Sequence, residues 1–547
     1  MKTRPDALRS ISAGQFDVCV IGAGATGSGC ALESQLRGFR TVLLDAGDFA
    51  SATSSASTKL AHGGVRYLQQ AVADFDLGQL KVVREALRER ILLLQNASHL
   101  AHGLEFVVPC FSRFDILYYG AGMKLYDWFA GSASLGKSRI LTKEETLHLV
   151  PALNPRGLVG GVSYYDGQFD DARFGITLVT TFVEAGGEVA NYLRVVDFER
   201  GHAGRLSAAV VQDVFTRENS IIRARAFVNA TGPFSDDIRL LANLGATKRL
   251  VGSKGAHILL PLANDGSDAL LIPKTEDGRV IFAIPWLGRL LVGTTDEEVS
   301  SAEESVVTRE DAKYLLRHLN HYSNGTYKFE DIVSGFAGIR PLVQQAASRQ
   351  TKKIVREHEV EVDDHSRLVS ILGGKWTTYR VMAQQTIDTV ANQLGSSPRP
   401  SASQHHQLAG AAGFAPDYWK TLLRDHAFSE ATARHLAEKF GTQSPAVLEL
   451  TKQNPQLKSP IVADWPAIQA EIVFCIREEM AVTIEDILAR RIGLQFFDWR
   501  LAMEAAPVVA SHLARELVWS NQQREEAAQS YVAKIKRYLS SIGLPDR

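Results

Sequence analysis

The chain has 547 residues, 45% of them hydrophobic and 22% charged, with a formal net charge of −1. That length exceeds what one core can fill, since cores stop growing at roughly 250–300 residues, so two or three domains are expected. The near-zero charge argues against a nucleic-acid partner, the apolar fraction excludes a disordered chain, and no uncharged apolar run is long enough to span a bilayer.

The N-terminus carries Lys2, Arg4 and Arg9 but no apolar stretch, which predicts no secretory signal. The four cysteines, Cys19, Cys30, Cys110 and Cys475, form no C-x-x-C pair. Buried, unpaired thiols and a reducing compartment follow, and no metal-ligand spacing is present. Phe16–Gly22 (FDVCVIG) reads as a buried strand, Gly24–Arg37 as a helix of small residues and Thr41–Asp45 as a second strand. That βαβ unit implies a doubly wound α/β domain. At its first turn, Gly22, Gly24 and Gly27 fit G-x-G-x-x-G. The first glycine permits the tight turn, the second lets a pyrophosphate approach the backbone and the third lets helix and strand pack closely. N–H groups at the helix start attract the phosphates. Asp45 closes the second strand, where a carboxylate accepts from adenosine ribose hydroxyls.

This fingerprint suits FAD and NAD alike, and three later segments favour FAD. In the first, Asp48–Leu68, the hydroxyls of Ser54, Ser55, Ser57 and Thr58 suit phosphate and ribitol contacts; Lys59, His62 and Gly63, expected at the cofactor as well, and then Arg66 and Tyr67 follow. The second, FVNATGPF, ends a strand at Ala230, Thr231 and Gly232, similar to the second nucleotide contact of two-dinucleotide-fold flavoproteins. The third, ILGGKWTTYR, places Gly373, Gly374, Lys375 and Thr377 at a helix start, whose dipole can steady negative charge on a bound flavin. Between them, Leu77–Leu94 reads as an amphipathic helix, with Leu80, Val83, Leu87 and Ile91 on one face. A further helix is expected near Ile176–Ala185, and residues 251–295 alternate strand and turn signals as an antiparallel sheet. The Ser/Pro/Gly-rich stretch before residue 408 reads as a linker, and 408–547 as a helical unit.

The segments IGAGATGSG, SSASTKLAHGGVRYLQ, GSKGAHI, IPKTEDGRVIFAIPWLGRLLVGTTDEE, GIRPLV, VREHEV, GGKWTTYR and MAVTIEDILARRIGLQFFDWRLAMEAAPVVA resemble the FAD-dependent (aerobic, respiratory) glycerol-3-phosphate dehydrogenase family. The resemblance runs over nearly the whole chain. It departs at Ala61 and Val65, where bulkier aliphatics are expected, and at Leu287, where histidine is frequent. It implies an α/β fold: an FAD-binding doubly wound, amino-acid-oxidase-like domain, an antiparallel-sheet substrate domain and an α-helical C-terminal cap domain. The FAD domain would occupy 16–395 (mainly 16–110, 160–250 and 335–395), interleaved with a substrate domain at about 111–160 and 251–334. A linker at 396–407 and a helical domain at 408–547 complete the chain.

The implied reaction is oxidation of sn-glycerol 3-phosphate to dihydroxyacetone phosphate by non-covalent FAD, with electrons passed to membrane quinone. It needs a base for the hydroxyl proton and positive charge for the phosphate. Arg340 is the main substrate arginine, because its planar fork matches such oxygens bidentately. The resemblance implies that Arg66, Arg340 and Arg356 line the pocket, with Lys375, Tyr67 and His257 nearby. His257 is the candidate base, and Asp296 is read as a turn residue. A peripheral position on the cytoplasmic face of a bacterial inner membrane is also implied, and a homodimer is compatible with it. Tyr118–Ala130 and Tyr531–Leu544 are the candidate membrane segments. An oxidase producing hydrogen peroxide shares these motifs; an amine or amino-acid oxidase and a non-catalytic flavoprotein fit the arginines less well.

Overall fold

The computed structural model describes residues 1–64, 77–262, 269–299, 305–324, 327–344, 358–397, 399–426, 428–463 and 465–546. β1 (Gln15–Ile21), α1 (Ala25–Leu36) and β2 (Thr41–Leu44) form the expected βαβ unit. β3 (Ala101–Cys110) leads into α2 (Arg113–Ala130), and β4 (Gly160–Phe169) into α3 (Asp171–Glu184). Then come β5 (Asn219–Asn229), β6 (Leu250–Pro261), β7 (Ser334–Val343), β8 (Val369–Leu372) and α4 (Tyr379–Leu394). The long helix Leu77–Asn96 buries Val83 and Leu87, and Ile91 is half-buried.

Sequence explains these elements locally. Ser112 caps α2 by accepting the Asp115 N–H, and Asp170 caps α3 by accepting that of Arg173. α1 can lie flat on the sheet because its contact face is small: a Cβ on Gly27 would stand 1.7 Å from the Gly22 carbonyl oxygen. All four cysteines are buried and none is in a disulfide.

The first sheet has a parallel core ordered β8, β5, β1, β2, Glu188–Ala190. Ile21 pairs with Asn229 on one side and with Leu44 on the other. Parallel strands end at one edge, so the residues after Ile21, Leu44, Asn229 and Leu372 emerge together, where open α/β sheets bind their ligands. The second sheet is ten-stranded and almost wholly antiparallel. It contains the strands expected between 251 and 295, and also β3, β4 and β7, segments assigned above to the nucleotide half. β3 joins it by pairing with Ala269–Ile272 through Ala269↔Phe106 and Leu270↔Val107, and β4 pairs with β3 from Ala101↔Phe169 to Cys110↔Gly160.

Beyond residue 408 the described regular structure is helical, ending in Trp499–Glu516 and Asn521–Ile542. These helices share a core with the second sheet, in which Ile258 and Val292 meet Ile487, Val509 and Leu539. The stretch read as a linker is pinned down: Asn96 Nδ2 donates to the carbonyls of Ser403 and Gln404, and Ser401 Oγ donates to Glu33.

Candidate functional site

A cleft of about 960 Å³ opens where the parallel strands end and the second sheet faces them. Small-molecule sites span roughly 300–1,000 Å³, so this one suits a large ligand. Its wall includes Gly22, Gly24, Asp45, Ser54, Ser55, Ser57, Thr58, His62, Ala230, Thr231, Gly232, His257, Arg340, Gly373, Gly374, Lys375 and Thr377. The topology thus brings most of the expected site residues together. Gly27, Lys59 and Gly63 do not line it. Gly27 serves helix packing, as above. The Gly63 N–H points to the Tyr126 hydroxyl at 3.1 Å. Lys59 is fully buried beneath the wall, 2.5 Å from Asp171 and under the rings of Trp286, Phe336 and Phe496. An ammonium out of water needs such partners. Arg66, Tyr67, Arg356 and Val65 lie outside the described residues. Leu287 sits in the turn between Ile281–Trp286 and Arg289–Gly293 and does not line the cleft.

The nucleotide side is built from backbone. Gly22 has φ +98°, and a Cβ there would lie 2.7 Å from the Ala230 carbonyl oxygen, so β1 and β5 can meet at the rim only through glycine. Asp45 accepts the N–H groups of Ala23 at 2.6 Å and Gly47 at 2.8 Å. Its remaining lone pairs can take ribose hydroxyls. Burial pushes its carboxyl up to about 6, against the pull of those two donors. The loop after β2 folds back over the start of α1: Ser54 Oγ accepts the Ala25 N–H at 2.9 Å, and the Ser54 carbonyl accepts Trp376 Nε1 at 2.8 Å. Ser57 is committed to Asp171 through both its N–H and its hydroxyl. The turn Gly373–Gly374, with φ +71° and +94°, swings Lys375–Thr378 toward the cleft just ahead of α4.

The substrate side follows from strand register. β6 and β7 pair Ser253 with Arg340, Gly255 with Gly338 and His257 with Phe336, and alternate residues share a face. The two glycines let other groups lie directly on the strands between a polar end and an aromatic end: a Cβ on Gly338 would stand 3.0 Å from Ala56 of the loop after β2. The Arg340 side chain lies across Gly255, where a Cβ would be 2.3 Å from its Nη2. Arg340 donates to Thr294 Oγ1 at 2.9 Å and Ser253 Oγ at 3.3 Å, with the Asp296 carboxylate 3.6 Å away. His257 is buried, stacked on Phe336, with Nε2 2.9 Å from Thr58 Oγ1 and, among the described residues, no partner at Nδ1. Burial first, and then the charges of Arg340 and Lys59, hold its imidazolium well below the usual range, so the ring is neutral.

Sequence reasoning did not single out Arg490, Gln495, Phe496 and Trp499, which bring the C-terminal helices to the cleft, nor Trp376. Four of these lie within segments quoted for the resemblance, and the fifth, Trp376, within GGKWTTYR. The backbone-lined rim, the ribose-facing carboxylate and the glycine turn ahead of α4 fit an FAD molecule.

Residues 17–380 match the family of FAD-dependent oxidoreductases, and residues 401–524 match the C-terminal domain of alpha-glycerophosphate oxidase. The chain is 38% identical over 529 residues to the mitochondrial glycerol-3-phosphate dehydrogenase of Bos taurus, covering 94% of this chain and 72% of that one. It is 36% identical to a mitochondrial glycerol-3-phosphate dehydrogenase of Arabidopsis thaliana, covering 96% and 86%. Among solved structures, the glycerol-3-phosphate dehydrogenase from Bacillus halodurans complexed with FAD superposes with a TM-score of 0.79 at 29% identity, covering 98% of this chain and 97% of that one. The chain belongs to the FAD-dependent glycerol-3-phosphate dehydrogenase family.

Proposed function

We propose that the protein oxidises the secondary alcohol of sn-glycerol 3-phosphate to dihydroxyacetone phosphate and passes the electrons to membrane quinone. One observation carries the reading: Arg340, laid across Gly255 and steadied by Thr294 and Ser253, lines the same cleft as a neutral, buried His257. Bound FAD would supply the hydride acceptor. Arg340 grips the phosphate oxygens with its fork, and Thr294 and Ser253 hold that fork in place. His257 takes the hydroxyl proton at Nε2, the atom now bonded to Thr58. Lys375, with the start of α4, adds positive charge on the cofactor side.

Of the described helices, none is long and apolar enough to cross a membrane. A peripheral seat on a membrane is supported by α2; its place at the cytoplasmic face of a bacterial inner membrane rests on the family resemblance. The outer side of α2 exposes Phe114 (72%), Leu117 (69%), Tyr118 and Trp128 (73%), flanked by exposed Ile140 and Val159. Such a patch is unusual on a monomer, and aromatics of this kind favour the headgroup layer. The other candidate, Tyr531–Leu544, is corrected: Tyr531, Ile535, Leu539, Ile542 and Leu544 are buried in the core shared with the second sheet. Lys534 pairs there with Glu485 and Lys536 with Asp546.

Anaerobic addition of glycerol 3-phosphate should bleach the flavin absorbance, and amino acids should not. A soluble quinone should then restore the colour far faster than oxygen does. Stoichiometric hydrogen peroxide with slow quinone turnover would replace the dehydrogenase reading with the oxidase one.

A further inference from the structure

The loop that follows β2 is fastened by the far end of the chain. Asp48, fully buried just beyond Asp45, accepts Arg490 Nε at 2.6 Å, Arg491 Nη1 at 2.8 Å and Nη2 at 3.1 Å, and Asn191 Nδ2 at 3.2 Å. On a regular α-helix, neighbouring side chains diverge by about 100°. Arg490 and Arg491 nevertheless reach the same carboxylate, from a segment, Asp486–Arg491, that is wound wider than an α-helix, with the Ile492 N–H bonded to the Ile487 carbonyl five residues back. Such turns are rare and recur at functional sites. Second partners fix the fork: Arg490 Nη2 donates to Asp486 at 2.7 Å, Tyr192 donates to the same carboxylate at 2.6 Å, and Arg491 Nη2 donates to the Glu479 carbonyl at 2.7 Å.

Asp48 stands at the root of the loop whose Ser51–Thr58 line the cleft, and Arg490 lines the cleft too. The charge of Arg490 reaches Asp45. The acids Asp48 and Asp486 balance the two arginines, so the cluster holds geometry and does not itself attract an anion.

We propose that Asp48, Arg490 and Arg491 form a cofactor clasp through which the C-terminal helical domain governs FAD retention. Docking of that domain holds the loop where Ser54 caps α1 and Asp45 faces the ribose. Arg490 is a positioning residue. Coupling of this kind is reciprocal: FAD strengthens docking by the factor by which docking strengthens FAD binding. The inference rests on FAD as cofactor and is independent of the substrate.

Two measurements on the full-length protein test it: FAD affinity of the reconstituted apoprotein, by flavin fluorescence, and the rate at which a protease cuts beyond residue 408, with and without FAD. In the parent, FAD should slow that cleavage at least tenfold. Arg490→Gln should weaken FAD binding at least tenfold and lose most of the protection, with an unchanged far-UV spectrum. Arg490→Lys, which keeps the charge without the fork, should recover part of both. Asp48→Asn would leave two buried arginines short of an acceptor, so it is read only beside the Arg490 variants. The parent measurement stands even if no variant folds. Equal cleavage of parent apo- and holoprotein, or unchanged FAD affinity in a folded Arg490→Gln protein, overturns the proposal.

Discussion

Thr58 Oγ1 lies 2.9 Å from His257 Nε2, joining the loop after β2 to the middle of the second sheet. The same loop holds β7 through Thr53 Oγ1, which donates to the Ile339 carbonyl at 2.7 Å. The cofactor side and the substrate wall are therefore positioned by one segment, and a change that displaces it should alter both.

The neutral state of His257 makes a pH prediction. Its folded pKa lies well below 6.5, held there by burial, Arg340 and Lys59. The acid limb of substrate-driven flavin bleaching should therefore fall below pH 6.5, and Arg340→Gln should move it up toward neutrality. The unfolded chain takes up the His257 proton near pH 6.5. The contribution to stability is thus complete above that pH and is lost as pH falls toward the folded value. Stopped-flow pH profiles decide the matter; a limb that Arg340→Gln leaves in place would assign the base elsewhere.

Arg340→Ala should lower kcat/KM for glycerol 3-phosphate by roughly 30- to 5,000-fold, since losing a buried charged contact costs about 2–5 kcal/mol. FAD content should stay normal, and plain glycerol should distinguish mutant from parent far less. Equal losses with both substrates would assign Arg340 to folding of the wall.

Asp45, with its carboxyl near 6, should make FAD binding sensitive to acid. Ribose hydroxyls need a carboxylate to donate to, so binding must expel the proton below that pH. Affinity should fall by about tenfold per pH unit there. Titrating apoprotein with FAD from pH 5 to 8 should show this slope in the parent, and Asp45→Asn should bind more weakly with a flat profile.

Replacing Phe114, Leu117 and Trp128 together by serine should weaken binding to anionic phospholipid vesicles at least tenfold while leaving turnover with a soluble quinone within twofold. These side chains are already in water, so stability should change little. Unchanged flotation with vesicles would move the membrane surface off α2.

Much of the nucleotide half was legible because its chemistry is local. Gly22, Gly24 and Asp45 announce themselves by spacing, and β1, α1 and β2 fall within a residue or two of the expected bounds. Lys59 was misplaced because its motif neighbours do line the cleft, while its own partner, Asp171, is distant in sequence. The apolar face of Tyr531–Leu544 looked equally ready for lipid or for a helix; only the fold shows that the helices Trp499–Glu516 and Arg309–Tyr322 cover it. Arg490 escaped notice because its partner, Asp48, lies near the other end of the sequence.

The Asp48–Arg490 contact spans 442 residues. Ribosomes add roughly 5–20 residues per second, so roughly 22–88 s separate the emergence of the two halves of that contact. During synthesis the glycine fingerprint, Asp45 and the serine loop exist without their fastening, and a chain released before Arg490 carries the complete signature of a flavoprotein that it cannot keep. Cofactor capture is thus a late event in the life of the polypeptide, and premature termination near its end should yield colourless protein.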